Sequence, residues 1–69
     1  MINEMMIAGL LMLGTVDDVV GDKIIVEFTL GNTVETMIIL QETSLCSPKE
    51  GEKVLFYRDA VVHCFNQDV

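Results

Sequence analysis

The chain has 69 residues, of which 51% are hydrophobic, eleven are acidic and four are basic, for a net charge of −7. This length holds one domain, 1–69, and a chain so short buries only about 60% of its unfolded surface. A phosphate-binding face wants clustered Lys and Arg, whereas Lys23, Lys49, Lys53 and Arg58 are scattered, so nucleic acid is disfavoured on charge.

The N-terminal MINEMMIAG places Ile2, Met5, Met6 and Gly9 at helical spacing, with Asn3 as an N-cap, which suits a short helix over the barrel mouth, the alternatives being a frayed terminus or an extension of strand one. The apolar run IAGLLML is far shorter than the roughly 20 residues that span a bilayer. MINEMM has no Lys or Arg, so a signal-peptide n-region is not expected. No membrane partner is expected, and the expected location is cytoplasmic.

Beyond that point, turn signals recur at short intervals, and the runs between them are rich in Val, Ile, Phe and Thr. This is the sequence mark of a small antiparallel sandwich or barrel. Strand one is expected over Leu10–Val20, strand two over Lys23–Leu30, strand three over Thr33–Leu40, strand four in KVLFY and strand five in VVHCF. Gly21-Asp22 and Gly31-Asn32 suit two-residue hairpin turns. In a strict register from the first turn, Asp17 would face the core, so a bulge is expected at Asp17-Asp18, so that Leu10, Met12, Gly14 and Val16 join Val19 on the inner face. From the second turn Glu35 falls opposite Phe28, which predicts a longer loop or a second bulge there. Within the long connection Ser44–Glu52, Leu45 is expected to plug the barrel end.

The chemistry-bearing residues are few. Structural zinc usually takes four soft ligands at recognisable spacing. Cys46, His63 and Cys64 offer three, and His63 and Cys64 point to opposite faces of a strand. No metal or cofactor is expected. The two cysteines are read as reduced thiols, free Cys being commonly buried as a small apolar group. A Cys46–His63 nucleophilic pair stays open in space, and Asp17, Asp18 and Asp22 read as solvated turn acids. No enzymatic activity is expected.

The outward faces carry more information. With Val54 and Phe56 inward, Leu55 and Tyr57 face out, and strand five must expose either Val61-His63-Phe65 or Val62-Cys64. A monomer of this size should not show that much apolar strand surface. The expectation is a homo-oligomer with Leu55, Tyr57, Val61, His63 and Phe65 at its interface.

The stretch FYRDAVVHCF, residues 56–65, resembles the strand–turn–strand signature of Sm-like proteins, in particular the bacterial Sm-like RNA chaperone type. Tyr57, Arg58, Ala60 and Val61 match that pattern, and Asp59 stands where the chaperone has His. The resemblance implies a strongly bent five-stranded barrel and rings of roughly five to seven copies, strand five of one copy pairing with strand four of the next. It also implies RNA near the ring pore, with Tyr57 and Arg58 as contacts. The PKEGEKVLF stretch is also similar to the last strands of hydrogenase-maturation chaperones, whose N-terminal Met-Cys is missing here.

The fold expected is therefore all-β: a strongly bent, five-stranded antiparallel small barrel of SH3/Sm-like or OB-like type, with a short N-terminal helix. The function expected is a non-enzymatic, self-associating Sm-like module with RNA as a partner. The alternative is a structural or adaptor protein, of phage or a larger assembly, that makes protein contacts only.

Overall fold

A computed structural model describes residues 11–65. The helix expected within MINEMMIAG, and Leu10, lie outside them. Five strands follow one another: β1 (Leu11–Val20), β2 (Lys23–Leu30), β3 (Thr33–Leu40), β4 (Lys53–Tyr57) and β5 (Ala60–Phe65). A single 3-10 turn, Gln41–Thr43, follows β3. The strands form one antiparallel sheet in the order β3-β2-β1-β4-β5.

Period-two alternation sets the faces. Ile24, Val26 and Phe28 of β2 are buried, as are Val54 and Phe56 of β4. They form one core with Val16, Ile39 and Val61, so strands from both edges of the sheet contribute to a single cluster. Phe28 and Phe56 meet edge to face, with ring centroids 5.3 Å apart. A sheet of this order can bring its edges to one core only by curling over its inner face.

Two bulges adjust the parity. On β1 the register slips between Val16 and Asp18, leaving Asp17 unpaired, and Val16 stays inside while the acids stay in water. This is the bulge expected from the sequence, but Val19, expected inside, lies exposed beyond it, next to the turn. On β5 the register slips between Phe56↔Val61 and Leu55↔His63, so Val62 is the extra residue. Val61 and Cys64 therefore both face inward, and the expected choice between two alternating sets does not arise. By contrast, β2 and β3 pair without interruption from Lys23↔Leu40 to Leu30↔Thr33. The longer loop or second bulge expected there is absent. Glu35 does lie opposite Phe28, but only half-buried, next to the turn end of the ribbon, where water reaches the carboxylate.

Gly14 marks where β1 presses hardest on its neighbours. A Cβ there would lie 2.4 Å from Val26 Cγ1 and 3.2 Å from Phe56 Cε1. Only a residue without a side chain lets β1 pass at this depth.

The segment after β3 clasps β5. The Ser44 hydroxyl donates to the Leu40 carbonyl at 2.9 Å and accepts the Val61 N–H at 3.1 Å. The Leu45 N–H donates to the Val61 carbonyl at 2.8 Å, and Gln41 Nε2 donates to the Cys46 carbonyl at 2.8 Å. The two bonds to Val61 satisfy the backbone at the start of β5 that a sixth strand would otherwise pair. Leu45 is not the expected plug. It is 77% exposed, whereas Pro48 is buried and Cys46 packs against the core. The clasp fixes the Leu45 backbone to β5, and its side chain then points to water.

Candidate functional site

The β4–β5 hairpin turns through Arg58 and Asp59. Arg58 has φ 58°, the left-handed region that two-residue hairpin turns require at their first central position and that non-glycine residues rarely occupy. The turn pushes the Arg58 side chain back over Tyr57, its Cζ 5.4 Å from the ring centroid, within cation–π range. Both residues are exposed, and Asp59 follows directly. The Asp59 carbonyl lies 3.1 Å from the Thr43 hydroxyl, so the clasp also steadies this turn.

The two cysteines are joined: Cys46 and Cys64 form a disulfide that closes a sequence separation of 18 residues. This corrects the expectation of reduced thiols. Cys64 turns inward because of the bulge at Val62, and the clasp delivers Cys46 to meet it, so the Cα atoms lie 6.2 Å apart. The bond takes both sulfurs out of ligand and nucleophile chemistry, which removes the Cys46–His63 pair. His63 points outward and stacks edge to face on Phe65, ring centroids 4.6 Å apart.

The outward face of β1, β4 and β5 carries a continuous apolar patch. Leu11 pairs with Tyr57 and Leu13 with Leu55 across β1 and β4, and His63 pairs with Leu55 across β4 and β5. Leu11 is 57% exposed and Leu13 56%. Phe65 closes the patch opposite Lys53. Of the residues expected at an interface, Leu55, Tyr57, His63 and Phe65 lie here. Val61 does not: it is fully buried in the protomer's own core, because the Val62 bulge puts it inward with Phe56.

A shallow, open groove of about 350 Å³ lies where β1 and β2 part company beyond Thr15↔Glu27. From there β1 follows β4 and β2 follows β3. Gly14, Thr15, Glu27, Phe28, Thr29 and Lys53 are among the residues lining it. It holds one carboxylate, one ammonium and hydroxyls, without the histidine that would activate one of them as a nucleophile. Among the described residues no group of His, Cys, Asp or Glu is arranged to hold a metal ion, and no helix is long and apolar enough to cross a membrane.

Compared with known proteins, the chain matches no family model, no curated protein and no solved structure.

Neither the disulfide nor the Val62 bulge was expected from the sequence. The signal for both was the apolar string Val61-Val62-His63-Cys64, which fits one inward face only if a residue is skipped.

Proposed function

We propose that this chain is a non-enzymatic assembly module, a small curled β-barrel of the OB-like or Sm-like kind that works by associating with copies of itself. The observation carrying this reading is the outward apolar surface. Leu11, Leu13, Leu55, Tyr57 and Phe65 form one patch on β1, β4 and β5, and Val34 and Ile38 stand out on β3 at 62% and 59% exposure. Patches of this kind on a small chain mark contact surfaces. The order of strands supports a five-stranded, partly open Greek-key barrel, in which β3 and β5 are the terminal strands. In that order β4 lies between β1 and β5, so both its edges are used within the protomer. A strand-five-to-strand-four contact between copies, as the Sm-like resemblance implies, has no open β4 edge to use. Assembly would run through β3 or β5 instead.

The disulfide favours an oxidising setting over the cytoplasm, since such bonds persist in secreted, periplasmic or virion-surface proteins. This fits the structural or adaptor role. A second reading, RNA contact at the β4–β5 turn, is favoured by one observation, the Arg58 guanidinium stacked over Tyr57, a pair that can meet a phosphate and a base together.

Sedimentation at several concentrations tests the assembly reading, which a monomer at every concentration would overturn. Titrating oligo-U and oligo-A at low and physiological salt tests the second reading. Binding that weakens with salt and is lost in Arg58→Ala supports it, and no binding even at low salt removes it.

A further inference from the structure

Sheets in natural proteins protect their edges with bulges, Lys, Pro or a covering segment. β5 is protected: it carries the Val62 bulge, and Ser44 and Leu45 bond its first residues. β3 is not. It runs eight residues without a bulge, and its sequence TVETMIIL has neither Lys nor Pro. Among the described residues no backbone hydrogen bond reaches the side of Thr33–Ile39 away from β2.

Hairpin geometry says which groups face that open side. The two-residue turn Gly31-Asn32 makes Leu30↔Thr33 a hydrogen-bonded pair, and such pairs alternate with non-bonded ones. Val34, Thr36 and Ile38 therefore direct their N–H and C=O groups outward. Their side chains share the outer face of the sheet, opposite Thr29, Glu27 and Ile25.

We propose that two copies of this chain join edge to edge through β3, antiparallel, with the two-fold axis at Thr36. The strand is complementary to itself in this register. Thr36 meets Thr36 of the second copy, a favourable hydroxyl pair, and Val34 meets Ile38 on either side, so the outer rows read alike in both directions. On the inner face Glu35 meets Met37. Moving the axis to position 35 would oppose two Glu35 carboxylates, which like-charge repulsion disfavours. Moving it to position 37 would bring in Leu40, whose carbonyl already accepts from Ser44 and which lies where the sheet edges meet. The occupant is thus specified by the strand: a β-branched edge segment with its Val and Ile equidistant from a central Thr. Pairing would extend two five-stranded sheets into one, with a self-matching contact of the kind two-fold dimers use. Each copy has a net charge of −7, so screening by added salt strengthens the dimer.

The inference rests on the self-association reading, and the variants separate the two. Thr36→Lys places like charges on the axis, while within the protomer the new ammonium lies opposite Glu27, so the fold is retained. Val34→Lys replaces an exposed side chain beside the axis. Each is expected to weaken dimerisation roughly 10- to 100-fold in sedimentation equilibrium, with unchanged circular dichroism. Thr36→Cys adds the one free thiol to a protein whose native cysteines are bonded. Cα atoms across a hydrogen-bonded pair lie about 5.5 Å apart, inside disulfide range, so mild oxidation is expected to give a covalent dimer. Glu50→Cys, in the exposed loop, is expected to give none. A wild type that associates while Thr36→Lys still does so, and Thr36→Cys does not cross-link, overturns the β3 edge and leaves self-association standing. A wild type that stays monomeric to about 1 mM overturns both.

Discussion

The Cys46–Cys64 bond is the strongest single restraint on the one long connection, and its removal is the most informative perturbation. A cross-link closing 18 residues removes about 3 kcal/mol of chain entropy from the unfolded state. The folded state has a second stake, because both cysteines pack partly against the core and Cys46 holds the clasp in place. For a domain of this size about 1 kcal/mol moves the melting midpoint by roughly 4–8 °C, so the loss of about 3 kcal/mol predicts a fall of roughly 12–24 °C. The assay is thermal unfolding followed by circular dichroism, with and without a strong thiol reductant, alongside Cys46→Ala/Cys64→Ala. Reductant and double variant should give nearly the same midpoint, and reductant should leave the double variant unmoved. A midpoint that falls by less than about 4 °C on reduction refutes the loop-closure reasoning. Two titratable thiols in the air-purified native protein would refute the bond itself.

Other perturbations test the packing. Gly14→Ala forces a methyl to within 2.4 Å of Val26 Cγ1, and overpacking of this kind should cost about 1–3 kcal/mol, read from the urea midpoint. Arg58→Gly relieves a positive φ and should raise stability by up to about 1 kcal/mol in the same assay, and a lower urea midpoint would refute this. Ser44→Ala strips the Val61 N–H of its acceptor in a part-buried place and should cost about 1–3 kcal/mol, with faster amide exchange at Val61.

The strands were legible because each is short and bracketed by turn chemistry. β2, β3 and β4 fall where the apolar alternation places them, β1 does so over its described residues, and β5 starts one residue earlier than expected. The Asp17 bulge was legible too, since an acid in the core is costly enough to fix the parity. The features missed are those set by curling. Glu35 needed no second bulge, because the ribbon end next to the turn stays wet. Leu45 lost its expected place because backbone bonds to β5 decide its direction, and those bonds join residues far apart in sequence. The disulfide followed from two facts together, the clasp, which joins residues far apart in sequence, and the Val62 bulge, whose one local mark is the string Val61-Val62-His63-Cys64. At the candidate site, alternation placed four of the five expected interface residues outward, Leu55, Tyr57, His63 and Phe65, and Arg58 is exposed because it lies in the turn. Val61 was misplaced because strict alternation does not allow for the Val62 bulge, which turns Val61 inward with Phe56.

β1 is shared between two partners, its first half pairing with β4 and its second half with β2. The meander β1-β2-β3 and the hairpin β4-β5 each form from neighbours in sequence, whereas Leu11↔Tyr57 joins opposite ends of the described chain. Loop closure must precede that pairing, so the two ribbons are expected to assemble first and zip together last. The order of events is thus written into one strand. Substitutions at Met12 should speed unfolding and leave the folding rate nearly untouched, while those at Ile24 should slow folding.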